Sequence, residues 1–158
     1  MNTKAFGPIK QLAYVVADLD ASIRHWVDFA GVGPWTVYKN TAMHGHCRCI
    51  ETSVKMNVVL SYQGDLQIEL IQVTSRTLSP YQDATGAPLL GMHHIAWHSR
   101  DIDGDVARAR ERGLTPAVIA GNGEGPVAYL GPGAAPARLI SSPKASLGVL
   151  HGSARGLT

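Results

Sequence analysis

The feature that most constrains the fold is an internal repeat. The segment Gln11–Ala21 (QLAYVVADLDA) aligns with His94–Gly104 (HIAWHSRDIDG) at an offset of 83 residues. The identical pairs are Ala13/Ala96, Asp18/Asp101 and Asp20/Asp103, and the similar pairs are Leu12/Ile95, Tyr14/Trp97, Leu19/Ile102 and Ala21/Gly104. Two unrelated strand–helix segments would share an apolar pattern but would not readily share two aspartates in register. We therefore interpret the chain as two copies of one supersecondary unit.

The sequence of each copy predicts a strand, followed by a helix that begins at a capping aspartate and ends at a glycine. The β-rich runs Leu12–Val16 and Ile95–His98 lead into an aspartate whose side-chain oxygen can cap a helix. Apolar residues then recur at helical spacing, at Leu19, Ile23, Trp26, Val27 and Ala30 in the first copy and Ile102, Val106 and Ala109 in the second. Gly31 and Gly113 stand where a left-handed C-terminal cap is expected. We interpret these aspartates and glycines as caps and not as catalytic groups.

Three further strands are predicted after each helix. They are Trp35–Lys39, Lys55–Tyr62 and Leu66–Val73 in the first copy, and Thr115–Ala120, Pro126–Leu130 and Ala137–Ser141 in the second. The pattern is βαβββ twice, with module one at about residues 9–73, a connection at 74–92, module two at 93–143 and a tail at 144–158 that favours a weak terminal helix. GNGEG at 121–125 lacks the strand-to-helix setting of a nucleotide-binding loop, so we predict a turn.

Composition bounds the class of protein. A chain of 158 residues is the usual size of one domain, and 45% apolar with 16% charged residues excludes disorder. A net charge of +2 without clustered Lys or Arg argues against nucleic-acid binding. No apolar run reaches membrane-spanning length, and the first residues have no signal-peptide core. Cys47 and Cys49 are poorly spaced to pair, so we expect a reducing, cytoplasmic setting.

The repeated module resembles the vicinal oxygen chelate superfamily. That group includes glyoxalase I, methylmalonyl-CoA epimerase, extradiol dioxygenases and the bleomycin and fosfomycin resistance proteins. The resemblance runs from Ile9 to about Pro143, is strongest in QLAYVVADLD, GDLQIEL and GMHHIAWHSRDID, and is nearest the epimerase- and glyoxalase-like branch. It implies an α+β fold in which two tandem βαβββ modules form a curved, cup-like mixed β-sheet with the helices outside. It also implies a homodimer.

The resemblance implies a site for a divalent metal ion whose ligands come from four strands. His94 matches the histidine of the second module, and Glu69 in QIEL matches the carboxylate or carboxamide of the first. Gln11 stands where the first-module histidine is expected, and its amide oxygen suits a hard cation better than zinc. We therefore predict Gln11, Glu69 and His94 as metal ligands that converge in one pocket built by both modules.

The fourth family ligand, an acid near the last strand, is missing. Ala137–Ser141 (ARLIS) contains no acid, and Leu139 or Ile140 occupies the matching position. His151 would reach the site only if the last strand were Leu147–Gly152, which the helical spacing of that segment argues against. The alternative of a metal-free protein therefore stays open.

The resemblance to the epimerase- and glyoxalase-like branch implies proton transfer next to a carbonyl group. A metal ion that holds the substrate oxygens stabilises the enolate, and a carboxylate moves the proton. Glu69 is one candidate for that carboxylate. In the epimerase branch an acid precedes the strand that opens into the pocket, and Glu51 in IETSVK falls near that place, although a solvated acid is an equal interpretation.

Other histidines and cysteines are weighed against structural roles. His44, His46, Cys47 and Cys49 (in HGHCRC) are the densest set of soft-metal donors in the chain. Alternation along a strand would place the histidines and the cysteines on opposite faces, so we favour a half-buried strand over a metal site. His93 is expected to pack or meet water while His94 faces the pocket. Tyr14 and Trp97 are expected to pack in the core.

Three functions remain. The first is an isomerase, epimerase or lyase that acts on a small carbonyl compound or acyl thioester through an enolate-like intermediate, with or without a divalent metal. The second is a metal-free protein that binds a small apolar ligand, as the resistance proteins do. The third is a ring-cleaving dioxygenase, which needs two histidines and a carboxylate on iron and is disfavoured by Gln11. We favour the first, because a binding module does not need a Gln/Glu/His trio in an apolar cup.

Overall fold

Two βαβββ units follow one another along the chain. The computed structural model describes residues 6–47, 50–121, 126–131 and 137–141. The elements are β1 (Gln11–Val15), α1 (Leu19–Ala30), β2 (Thr36–Cys47), β3 (Ile50–Gln63), β4 (Leu66–Val73), β5 (Gly91–Ser99), α2 (Ile102–Glu111), β6 (Thr115–Gly121), β7 (Pro126–Gly131) and β8 (Ala137–Ser141). This order confirms the predicted α+β fold class. The predicted terminal helix, and residues 122–125 of the predicted turn, lie outside the described residues.

Strands β2 and β3 are longer than the sequence predicted. They form a hairpin that includes the whole HGHC segment, paired from Thr36 with Leu60 to Cys47 with Ile50. On β2, Met43 and Cys47 are buried whereas His44 and His46 are exposed, and on β3, Val54 is buried whereas Lys55 is exposed. This is the pattern of strands with one face on the core. The polar residues between them obscured this period in the sequence.

Both helices are capped as predicted. The carboxylate of Asp18 accepts a hydrogen bond from the backbone N–H of Ala21 at 2.9 Å, and that of Asp101 accepts from Gly104 at 3.0 Å. Gly31 ends α1 with a φ of 64°, and Gly113 has a φ of 82° just after α2. Such backbone angles favour glycine, because it has no Cβ.

The eight strands close into one barrel. Their order is β1-β4-β3-β2-β6-β7-β8-β5, so each module contributes four adjacent strands. Within each module the first and last strands are parallel (β1 with β4, β5 with β8), and the two seams between modules, β1 with β5 and β2 with β6, are antiparallel. The predicted cup is therefore a sheet that closes on itself, and each seam joins one module to the other.

Within the described part of the chain, three apolar clusters hold the fold together. One fills the barrel with residues from both modules, namely Ala13, Val15, Met43, Cys47, Val54, Met56, Val58, Ile71, Tyr81, Val127 and Tyr129. The other two pack the helices on the outer face of the sheet, α1 through Leu19 on Val59 and Leu70, and α2 through Val106 and Ala109 on β7. Tyr14 and Trp97 belong to these outer layers, as predicted for core packing.

A β-bulge interrupts the seam between β1 and β5. Ala13 pairs with His94 while the next residue, Tyr14, pairs with Met92, so His93 is an extra residue on β5. A bulge breaks the alternation of side chains along a strand. As a result, His93 and His94 are consecutive in sequence, yet both are buried and both contact Tyr129 inside the barrel.

Candidate functional site

Three polar side chains meet inside the apolar barrel. Gln11, Glu69 and His94 are 3%, 7% and 0% exposed, and they come from β1, β4 and β5. His94 Nε2 lies 3.3 Å from Gln11 Oε1 and 3.6 Å from Glu69 Oε2. The structure thus brings together the three residues predicted as a cluster, two from module one and one from module two. A buried carboxylate lowers the free energy of unfolding unless other polar groups surround it. Folding alone therefore does not explain why Glu69 is buried here.

A small residue makes the contact between Glu69 and His94 feasible. Ala13 is fully buried and is the cross-strand partner of Glu69 on one side and of His94 on the other. Neighbouring strands are about 4.8 Å apart, so the two outer strands are separated by about 10 Å. The side chains of Glu69 and His94 extend across this distance, and only the methyl group of Ala13 projects from the strand between them.

A hydrogen-bonded chain leads from the cluster to the surface. The Nε2 amide group of Gln11 donates to Gln67 Oε1 at 2.7 Å, and the amide nitrogen of Gln67 in turn donates to the hydroxyl of Tyr62, which is 61% exposed. Because the nitrogen of the Gln11 amide faces Gln67, its oxygen faces His94. Both oxygens near His94 Nε2 are acceptors, so this nitrogen carries a hydrogen.

His93 continues the chain on the other side of His94. Its Nδ1 lies 2.9 Å from His94 Nδ1, and its Nε2 lies 2.8 Å from the carbonyl oxygen of Pro80. The rings of Tyr81 and Tyr129 stand around this histidine pair, and their hydroxyls are 2.6 Å apart. Tyr81 and Tyr129 are not recognisable as site residues from the sequence, because one lies in an aperiodic connection and the other in an apolar strand.

The described donors do not complete a metal site. In residues 6–47, 50–121, 126–131 and 137–141, no three His, Cys, Asp or Glu side chains are grouped so that they could hold a metal ion. Gln11, Glu69 and His94 offer one amide oxygen, one carboxylate and one ring nitrogen. The sequence of β8 contains no acid, and His151 lies outside the described residues. Metal binding by Gln11, Glu69 and His94 therefore stays a prediction.

A two-histidine, one-carboxylate iron face is not formed by His93, His94 and Glu69. Both ring nitrogens of His93 are directed elsewhere, one to Pro80 and one to His94. A ring nitrogen must present its lone pair to bind iron. The dioxygenase alternative therefore has no support from these three residues.

Glu51 is not brought to the cluster. It is exposed on β3 and pairs with His46, whereas Leu60 of the same strand pairs with Glu69. At about 3.4 Å per residue, the distance along β3 from Glu51 to Leu60 is about 30 Å. This separation gives no support to Glu51 as the base, and its role, which the family resemblance implied, stays a prediction.

The remaining titratable candidates lie on the surface or pack. His44 and His46 are exposed, whereas Cys47 is buried on the opposite face of β2, as alternation predicted; residues 48 and 49 lie outside the described part of the chain. His98 is exposed near the end of β5, and partial burial, aided by the positive charge of Lys10, lowers its pKa below the ordinary value.

A cavity of about 380 Å³ lies apart from the polar cluster, beside the start of α1. Residues from Tyr14 to Asp18 line it, together with Ala21, Ser22, His25, Trp26 and Gly91. None of Gln11, Glu69 and His94 contributes to its wall.

Neither helix of the described chain is long and apolar enough to cross a membrane.

These features define a class of protein: a barrel of two βαβββ modules with a polar cluster at the seam between them. The sequence model of the glyoxalase/bleomycin resistance protein/dioxygenase superfamily matches residues 10–129. The chain belongs to this superfamily, as its repeated module indicated. No curated protein matches the chain in sequence.

Several solved structures have a similar fold. A methylmalonyl-CoA epimerase from Mycobacterium tuberculosis superposes with a TM-score of 0.58 at 17% identity, over 89% of this chain and 91% of that one. A methylmalonyl-CoA epimerase in complex with methylmalonyl-CoA and NH4+ gives 0.57 at 18% identity, over 87% and 95%. The Streptomyces coelicolor epimerase in complex with 2-nitronate-propionyl-CoA gives 0.54 at 18%, over 88% and 99%. At these identities the similarity shows a shared fold.

Proposed function

We propose that this protein is an isomerase or lyase that removes a proton from the carbon next to a carbonyl group, with an acyl thioester as the favoured substrate class. The observation that carries this proposal is the position of the Glu69 carboxylate, 3.6 Å from the ring nitrogen of His94 inside the barrel. A base and a hydrogen-bond donor side by side are the two groups that enolate formation requires. The class of substrate is supported by the neighbours in fold, which are methylmalonyl-CoA epimerases.

In the proposed reaction, Glu69 takes the proton as the carbon–hydrogen bond breaks. The electron pair moves onto the carbonyl oxygen, and the hydrogen on His94 Nε2 donates to the oxygen as its negative charge develops. Delivery of a proton from solvent to the other face of the carbon, with release of the first proton from Glu69 to solvent, gives the epimer. Departure of a group from the neighbouring carbon gives a lyase instead. Donors oriented before the reaction stabilise such a charge strongly in a water-poor interior.

Gln11 contributes to the orientation of these groups. Its amide is held by Gln67, so its oxygen is fixed beside His94 Nε2. The exposed Tyr62 at the end of this chain of amides marks the side from which we expect the substrate to approach.

The test is exchange of the substrate proton for solvent deuterium. Wild-type protein is incubated with methylmalonyl-CoA in D₂O, and exchange is followed by NMR. Glu69→Gln preserves the shape of the side chain but removes its basicity, so exchange is expected to fall about 10²- to 10⁴-fold. Glu111→Gln, the same change at an exposed position on α2, serves as the control.

Three outcomes would overturn the proposal. Exchange lost in Glu51→Gln but retained in Glu69→Gln would assign the base elsewhere. Stoichiometric binding of the thioester without exchange would favour the alternative of a small-molecule binding protein. Metal found in purified wild-type protein, and lost in both Glu69→Ala and His94→Ala, would replace the proposed hydrogen-bond donor by a metal ion. The predicted homodimer and cytoplasmic location stay predictions.

A further inference from the structure

We propose that Arg138 occupies the position of the missing fourth ligand and supplies there the positive charge that a metal ion would otherwise bring. The pairing of the strands is the basis for this assignment. Glu69 on β4 pairs with Ala13 on β1, and the residue 83 positions after Ala13 is Ala96 on β5. Ala96 pairs with Arg138 on β8, in the same parallel arrangement. Arg138 is therefore the equivalent of Glu69 in the second copy of the repeat.

A second row of cross-strand partners repeats the row centred on Ala13. It consists of Arg138, Ala96 and Gln11, on β8, β5 and β1. Ala96 is fully buried, as Ala13 is, so a small residue again separates the two outer positions of the row. The two rows meet where Gln11 Oε1 lies 3.3 Å from His94 Nε2. The four ligand positions that the family resemblance implies are thus held by the three residues of the polar cluster and by Arg138.

The pairing of β8 with β7 places Arg138 on the inner face of the barrel. Its partner on β7 is Tyr129, which belongs to the cluster that fills the barrel and contacts the ring of His94. Directly paired residues of neighbouring strands lie on the same face of a sheet. Leu139, one of the two residues that the sequence suggested for this position, pairs with Ala128 of the cluster beneath α2, so it lies on the outer face.

An arginine at this position changes how the site can stabilise negative charge. A metal ligand must present a lone pair, whereas a guanidinium has five N–H donors, no acceptor and a permanent positive charge. That charge is opposite to the charge of Glu69, which is 7% exposed, and a buried carboxylate is tolerated when a cation pairs with it. A divalent cation added to this pair would be repelled by Arg138. The residues at the four positions therefore fit a bound anion better than a divalent metal ion.

The catalytic consequence rests on the proposed function, which it deepens. As the electron pair moves onto the carbonyl oxygen of the thioester, the guanidinium of Arg138 donates to that oxygen and offsets its developing charge. Loss of one such donor slows a reaction about 10²- to 10³-fold, so Arg138→Gln is expected to reduce deuterium exchange by that factor. Arg138→Lys retains the charge but not the planar pair of donors, so we expect a smaller loss.

Binding of Mn²⁺ without any substrate tests the assignment separately from the reaction. Mn²⁺ is added to the purified full chain after removal of metal, and bound and free ions are counted by EPR. The wild-type protein is expected to bind no stoichiometric Mn²⁺. Arg138→Glu restores an oxygen ligand at the fourth position and is expected to bind one equivalent. Arg110→Glu makes the same change of charge at an exposed position on α2 and, as the control, should bind none.

Three results would overturn the inference. One is an equivalent of Mn²⁺ on the wild-type protein that is lost in Glu69→Ala. Another is a folded Arg138→Glu protein that binds no more Mn²⁺ than the control. The third is exchange at the wild-type rate in Arg138→Gln. If the wild-type protein exchanges no proton, the proposed function fails, and the Mn²⁺ measurements decide the inference by themselves. The wild-type measurement does not depend on whether any variant folds.

Discussion

The contact between Glu69 and His94 depends on the small side chain that separates their strands. Ala13 is fully buried and pairs with both residues, so Ala13→Val adds two methyl groups where the side chains cross. Valine suits a strand, so the cost comes from overpacking, at about 1–3 kcal/mol. For a domain of this size that lowers Tm by about 2–10 °C. Displacement of the carboxylate by about 1 Å is expected to slow proton exchange about 100-fold.

The matched control is Ala128→Val. Ala128 is also fully buried in a strand, but it packs in the cluster beneath α2 and not in the polar cluster. Urea unfolding should show a similar loss of stability in both variants with an unchanged m-value, whereas exchange into the thioester should fall only in Ala13→Val. If Ala13→Val lost stability but exchanged at the wild-type rate, the reasoning that places the reaction between Glu69 and His94 would be refuted.

Three further predictions concern stability. Asp18→Ala and Asp101→Ala each remove one helix cap and should cost about 1 kcal/mol in urea unfolding, adding to about 2 kcal/mol in the double variant; no loss in either would contradict the capping role. Tyr129→Phe removes the hydroxyl pair inside the barrel and should cost about 1 kcal/mol, whereas an unchanged midpoint would mean that the bond adds nothing. Burial, and secondarily Lys10, lower the pKa of His98 in the folded chain, so the unfolded chain binds more protons. Stability should therefore fall as pH drops through about 6.5 and level off below the folded pKa, and His98→Gln should weaken this fall, as measured by unfolding at a series of pH values.

Local signals in the sequence account for the elements that were predicted. Asp18 and Asp101 cap helices through bonds to residues three positions away, and Gly31 ends a helix through its own backbone angle. Such features depend on the chain within one turn of the helix. The offset of 83 residues between the two copies shows which elements repeat. The βαβββ order can therefore be predicted without any knowledge of the packing.

The rest of the site depends on contacts that are distant in sequence. The bulge at His93 depends on which residues of β1 pair with which residues of β5, and nothing in the HHIAW segment indicates it. Tyr81 meets Tyr129 only because the barrel closes. The separation of Glu51 from Glu69 likewise follows from the pairing of β3 with β4 along the whole hairpin.

The incomplete seam along β2 bears on how this chain avoids aggregation. β2 pairs with β6 only from His44 to Cys47, so among the described strands its first part, from Thr36 to Met43, has a single neighbour in β3. A flat, unpaired strand edge recruits strands from other molecules. Here the ladder is interrupted between Tyr38 and Thr41, where Asn40 has a φ of 55° and Lys39 adds an exposed charge. Both features discourage β-addition, so substitutions at Lys39 and Asn40 would reduce solubility without affecting the chemistry inside the barrel.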